Sequence, residues 1–179
     1  MTLTHFPGDT VASAMSETVN DPSTLPLKTP APDAHVRHFT ETLPTTLPPE
    51  VLWAELTRAL LRSQDAVLWA NDVSTVSTLQ PPLAVGSVIA ERIQPNGPVL
   101  HYRLVRFEPP RLLEYASLQD HPLAGGAVVS VEHSAGTTTL RWQGTYRGTE
   151  QQLGVLDRFR AAFFASLAVQ LRQLEATAR

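Results

Sequence analysis

No cysteine occurs in the chain, which removes disulfides, thiolate nucleophiles and every Cys-based zinc or iron–sulfur centre. Lysine is almost as scarce: Lys28 stands alone, the arginines are scattered, and the net charge is −3. Proteins that grip a phosphate backbone draw their affinity from clustered Lys and Arg, so nucleic acid is not an expected partner. No stretch approaches the roughly 20 apolar residues that a bilayer span requires. The longest apolar run, Ala161 to Val169, is broken by Ser166 and flanked by Arg158, Arg160 and Arg172. The residues from Met1 to Asp9 lack the basic start and apolar core of a secretory signal, which makes the cytoplasm the expected location. A Gly-x-Ser-x-Gly elbow, a phosphate-cradling glycine loop and a dinucleotide fingerprint are all missing, and no cofactor is expected.

What is present divides in two. Residues 1–34 are rich in Thr, Ser, Pro, Asp and Ala, with Pro22, Pro26, Pro30 and Pro32 spaced too closely for a helix or a ladder. Their composition predicts a disordered extension, the alternative being an arm that docks through Phe6, Val11 or Leu25. Residues 35–179 carry the apolar periodicity of one domain, large enough to bury a core without staples. His35 to Leu43 alternates as a strand, and Pro49 to Arg62 reads as a helix with Pro in its first turn and Leu52, Trp53, Leu56 and Leu60 on one stripe. A second short helical turn is predicted over Gln64 to Trp69.

Beyond Gln80-Pro81-Pro82 the period changes to two. Strands are predicted over Ser87–Gln94, Val99–Glu108, Leu112–Leu118, Ala127–His133 and Thr137–Arg147. Asn96-Gly97 marks a hairpin because both residues tolerate positive φ, and Ser134-Ala135-Gly136 marks another tight turn. Such short connections join antiparallel neighbours, so the sheet is expected to be a meander. From Gln152 to Ala176, Leu156, Phe159, Phe163, Leu167, Leu171 and Leu174 recur every three or four residues. A helix of about 25 residues is roughly 37 Å long, enough to cross a small sheet. The expected class is α+β: a curved antiparallel sheet of six or seven strands closed by a long C-terminal helix, with one or two short helices after the first strand.

Several local segments resemble a known family. Leu47-Pro48-Pro49-Glu50-Val51-Leu52-Trp53 is similar to the Pro-x-Glu-x-Val-Trp that follows its first strand, with Leu52 in the Val position. Leu68-Trp69-Ala70-Asn71-Asp72-Val73 resembles its Trp-bearing segment before the second strand, and Val85-Gly86-Ser87 its strand-opening Gly. Arg106 to Tyr115 resembles its Glu-x-Pro-x-x-Leu turn, and Gly136-Thr137-Thr138-Thr139-Leu140 its Gly-Thr-x-Leu strand opening. The family is the START-like, birch-pollen-allergen-like (SRPBCC) superfamily, in its polyketide cyclase/dehydrase-like branch. The resemblance covers about Val36 to Ala176 and implies a helix-grip fold whose long helix leaves a cavity for a steroid, polyketide, lipid or quinone. The polar extension has no place in it.

The inward faces supply the candidate wall of such a cavity: Trp69, Tyr102, Leu104, Tyr115, Trp142, Tyr146, Phe159, Phe163 and Leu167. Tyr102, Trp142 and Tyr146 stand out because a buried hydroxyl or indole N–H needs a polar partner, which a ligand carbonyl could supply. Catalytic signals are sparse. His35 and His38 fall on opposite faces of a strand, so no metal site is expected, and His101, His121 and His133 are dispersed. Gly125-Gly126 reads as a turn or bulge. Glu41, Glu91 and Glu114, with Arg103 or Arg141, belong by preference to a solvated outer face paired across strands. If the pocket does chemistry, one of these carboxylates with Tyr102 or His133 is the group to move a proton. The expected partner is a small hydrophobic molecule, bound without chemistry; a cyclase or dehydratase and a protein-interaction module are the alternatives.

Overall fold

The computed structural model describes residues 21–61, 66–69 and 72–178. Strand β1 (His35–Thr45) leads to helix α1 (Pro49–Leu60), followed by β2 (Ser74–Thr78), β3 (Val88–Ile93), β4 (Val99–Glu108), β5 (Leu112–Ser117), β6 (Ala124–Ser134), β7 (Thr137–Gly148) and helix α2 (Glu150–Thr177). The sheet has seven strands in the order β1-β7-β6-β5-β4-β3-β2, antiparallel throughout. It is a meander from β2 to β7, and β1 closes it by pairing with β7 from His35↔Gly148 to Thr45↔Thr138. One short helix follows the first strand. Of the second predicted turn, residues 66–69 are described and form no helix, while Gln64 lies outside the described residues, as do Phe6 and Val11.

The turns differ from the sequence reading in an instructive way. Ala135 and Gly136 have φ of 50° and 76°, the two positive values that a tight two-residue hairpin needs, between the paired Ser134 and Thr137. Asn96-Gly97 also joins two strands, yet neither residue has positive φ. Ile93 N–H donates to Pro98 O at 3.0 Å and Gly97 N–H to Ile93 O at 2.9 Å, so the loop is longer and closes differently. Gly125 and Gly126 lie within β6 instead of in a turn. A Cβ on Gly125 would stand 2.1 Å from Thr145 O, and one on Gly126 1.9 Å from Tyr115 O. Only glycine lets the neighbouring strands approach this closely where the sheet curls.

Helix α2 opens with a capping box: Thr149 Oγ1 accepts from Gln152 N–H at 3.2 Å, and Gln152 Oε1 accepts from Thr149 N–H at 2.9 Å. It is tethered at both ends. Glu150 pairs with His35 and Arg37 at 3.3 and 3.5 Å, and Glu175 accepts from Thr45 Oγ1 and Thr46 N–H at 2.6 and 2.8 Å. Residues 21–34, inside the polar extension, run beside the sheet. Leu27 bridges Leu118, Lys28 N–H donates to Ser117 O and Gln119 N–H to Pro26 O, both at 2.9 Å, and Arg103 donates to the carbonyls of Ser23 and Leu25 at 2.9 Å.

Candidate functional site

Between the concave sheet and the N-terminal half of α2 lies a cavity of about 570 Å3. Helix α1 explains why it occupies only one end of the interior. Leu52, Leu56 and Leu60 of α1 are fully buried and fill the region that α1 covers, within one core that also holds Leu104, Leu113, Leu140, Leu167 and Leu171. Of the nine residues expected on the wall, Trp69, Tyr102, Tyr115, Trp142, Tyr146, Phe159 and Phe163 line the cavity. Leu104 and Leu167 do not; both are closed off in the packed core, 0% and 1% exposed. They share faces with Tyr102 and Phe163, but a step along a strand or a helical turn carries each into the filled region. Phe39, Leu156, Phe164 and His121 are wall residues that the sequence reading did not single out.

The aromatic side chains form one connected lining. Trp69 meets Trp142 edge-on with centroids 4.9 Å apart, Trp142 meets Phe163 at 5.5 Å, and Tyr102 meets Tyr115 at 5.0 Å. Edge-to-face contacts of this kind hold rings in fixed orientations. Phe39 stacks on Tyr146 at 6.3 Å and rests over Gly144, where a Cβ would fall 2.2 Å from the ring. The Arg160 guanidinium lies over the same ring, 4.8 Å from its centroid. The rim is formed by Pro98 of the β3–β4 connection and by Val155 and Arg158 of α2, all exposed.

Apart from Gln152, Arg158 and Arg160 of α2, the polar groups of this wall gather at one place. Glu91 of β3 is buried and has no cationic partner among the described residues. Its Oε1 accepts from Trp69 Nε1–H at 3.1 Å and from Ser74 Oγ–H at 2.8 Å, and Oε2 lies 3.2 Å from the Tyr102 hydroxyl. That hydroxyl is 3.0 Å from His121 Nε2, and His121 Nδ1 lies 2.8 Å from Leu123 O and 2.9 Å from Leu123 N. Burial raises the Glu91 pKa, which the three hydrogen bonds oppose. Burial lowers that of His121 to about 4, so its ring is neutral near pH 7. Burial also raises all three phenols facing the carboxylate, Tyr102, Tyr115 and Tyr146.

Trp69 is positioned by strain as well as by partners. Its φ of 54° is rare for a bulky side chain, and its backbone N–H donates to Gln170 Oε1 at 3.2 Å while its indole holds Glu91. The other expected carboxylates are elsewhere. Glu41 pairs with Arg160 at 3.6 Å, and Glu114 projects opposite the buried Leu113 and Tyr115. Arg103 and Arg141 project away from the buried Tyr102 and Trp142, and His133 bonds Thr138 Oγ1 at 3.0 Å. His35 and His38 have separate partners, Glu150 and Thr145, and no cluster of three potential metal ligands occurs among the described residues. Among those residues, no helix is long and apolar enough to cross a membrane.

A family model described as polyketide cyclase/dehydrase and lipid transport matches residues 36–179. A comparison with curated proteins gave no match. Similar solved structures include protein Ms6760 from Mycobacterium smegmatis, 18% identical over 86% of this chain and 100% of that one, with a TM-score of 0.61. The Zhui aromatase/cyclase from Streptomyces sp. R1128 is 17% identical over 80% and 98% of the two chains, with a TM-score of 0.58. A norcoclaurine synthase from Thalictrum flavum is 9% identical over 81% and 97%, with a TM-score of 0.60. At these identities the likeness is one of fold.

Proposed function

The chain belongs to the polyketide cyclase/dehydrase and lipid transport family, and we propose that its cavity binds one small, mainly apolar, ring-containing molecule. The observation that carries this reading is the aromatic lining of a space that α2 spans without filling. Its volume of about 570 Å3 is within the range of about 300–1,000 Å3 usual for small-molecule sites. Ring faces and edges held by one another offer a flat ligand dispersion contacts at little entropic cost, because the rings are already ordered. The buried polar cluster at Glu91 and Tyr102 fixes which way round the ligand lies.

Purification under native conditions, followed by mass spectrometry of whatever small molecule accompanies the protein, tests the reading. A stoichiometric apolar species supports it and gives the ligand class. An empty protein whose melting temperature no hydrophobic or aromatic library shifts would remove it. A second reading, an enzyme of cyclase or dehydratase type, is favoured by one observation: an ionisable pair, Glu91 and Tyr102, converges inside the same cavity.

A further inference from the structure

We infer that Glu91 is the acid–base group of the pocket, exchanging a proton with a carbon acid such as an enolisable carbonyl compound, and that Tyr102 and His121 are positioning residues whose hydrogen bonds reverse as Glu91 gains or loses its proton. The inference rests on the pocket reading. Its basis is the geometry of the chain that starts at the carboxyl. Trp69 Nε1 can only donate, and Ser74 supplies a hydroxyl, so Oε1 is held as an acceptor by two groups. Among the described residues Oε2 has one partner, the Tyr102 hydroxyl, and keeps a lone pair for a proton from the cavity that Glu91 lines.

The far end of the chain serves both protonation states. His121 Nδ1 lies within hydrogen-bonding distance of a pure acceptor, Leu123 O, and of a pure donor, Leu123 N–H. With Glu91 ionised, Leu123 N–H donates to Nδ1, Nε2–H donates to the Tyr102 oxygen, and Tyr102 O–H donates to Oε2. With Glu91 protonated every arrow reverses: Oε2–H donates to Tyr102, Tyr102 to Nε2, and Nδ1–H to Leu123 O. The side-chain links Oε2–Tyr102 and Tyr102–Nε2 stay paired in both states, and the reversal only moves the Nδ1 bond between Leu123 N–H and Leu123 O, so a proton can come and go at the cost of exchanging one backbone partner for another. His121 stays neutral in both states because burial keeps its pKa near 4, and the change of charge belongs to Glu91 alone.

The groups around the carboxyl suit this use. Ser74 from β2, Tyr102 from β4, Tyr115 from β5 and Tyr146 from β7 face it with uncharged polar atoms. From α2, Arg158 and Arg160 reach the wall of the same cavity, and Arg160 is already engaged by Glu41 and Asp157. A carboxyl raised by burial is moved toward the range in which it both takes and gives a proton. In the forward step the carboxylate takes the proton from the carbon beside a carbonyl. The C–H electron pair becomes the C=C bond of the enolate, and the charge moves to its oxygen. The reverse step returns the proton to carbon.

The test uses 5-nitrobenzisoxazole, a flat carbon acid whose ring opening needs only a base. The carboxylate takes the C3 proton, the C–H pair completes the nitrile, and the N–O bond breaks to leave a coloured cyanophenolate. Binding is followed separately by quenching of tryptophan fluorescence. Wild-type protein is expected to bind the probe and open it faster than acetate at equal concentration, with a rate that rises with pH to a plateau. Glu91→Gln should still quench tryptophan fluorescence with the probe, and at saturating probe should lose about 100-fold or more of the rate. Tyr102→Phe should keep turnover and move the pH midpoint upward, since it removes a donor that favours the carboxylate. Independently of any probe, 15N NMR should show His121 passing from the Nδ1–H to the Nε2–H tautomer as pH rises, and Glu91→Gln should lock it as Nδ1–H. Bound probe that is not opened, equal turnover in Glu91→Gln, or a tautomer indifferent to pH would each overturn the inference. A probe that does not bind at all would instead remove the pocket reading, and this one with it.

Discussion

The two ends of the interior share one sheet and one helix, yet they are closed in opposite ways. At the α1 end, three α1 leucines and the C-terminal part of α2 meet the sheet with mainly aliphatic side chains, joined by Trp53 against Phe107. At the other end no second helix lies beneath α2 among the described residues, and the space is bounded by rings of the sheet and of α2 that pack edge-on against one another beside the opening. The lone buried carboxylate of the wall, Glu91, is at the open end. Close aliphatic packing is concentrated where leucines interlock, and the buried polar cluster of Glu91, Tyr102 and His121 where they do not. An aliphatic chain fills space without direction, whereas a ring braced by neighbouring rings keeps its position with a void on one side.

The contrast can be broken most severely at the filled end. Leu56→Ala is expected to cost about 2–5 kcal/mol in denaturant unfolding, since its side chain is 1% exposed among close-packed neighbours. It should leave tryptophan quenching by a pocket ligand nearly unchanged. The next effect belongs to His121. Its pKa falls from 6.5 unfolded to about 4 folded, so its contribution is complete above pH 6.5 and is lost as the pH drops toward 4. At about 1.4 kcal/mol per unit this amounts to about 3 kcal/mol, visible as a decline in melting temperature that His121→Asn should flatten.

Glu91 acts with the opposite sign. Its folded pKa is raised, so stability is greatest below the ordinary value of 4.5 and falls as pH rises through and above it. Glu91→Gln should therefore melt higher than wild type at pH 8, with the gain vanishing below pH 4.5. The smallest stability effect is expected from Phe159→Ala, which enlarges an existing opening and should cost less than about 1 kcal/mol while weakening ligand retention clearly. A loss of stability as large as that of Leu56→Ala would mean that the open end is packed after all.

The same contrast decides what was legible in the sequence. The stripe from Leu156 to Leu174 announces a helix with one apolar face, because periodicity records which way side chains point. It does not record what lies beneath them, so Phe163 on the cavity wall and Leu167 in the core looked alike. Alternation put Tyr102 and Leu104 on one face correctly, yet about 7 Å of strand separates a pocket residue from a buried one. His121 carries no local signal, since it lies between strands in an Asp-His-Pro segment whose partners are fixed only when Tyr102 and Leu123 arrive from other directions. Glu91 was visible as a strand carboxylate. Its burial depended on Ser74, in a five-residue strand, β2, too short and polar to be picked out.

The strand-like run of residues 26–28 beside Ser117, Leu118 and Gln119 reaches further than its own hydrogen bonds. Those partners lead directly into Asp120 and His121, so the outer segment and the pocket share one short piece of backbone. Two binding events that order the same piece are thermodynamically coupled, and the coupling is symmetric. A ligand that holds His121 in place tightens the grip on residues 26–28 by the same factor by which that segment, when docked, tightens the grip on the ligand. If the proposed ligand orders this piece, occupancy of the interior is expected to be read from outside, as protection of residues 26–28 from proteolysis.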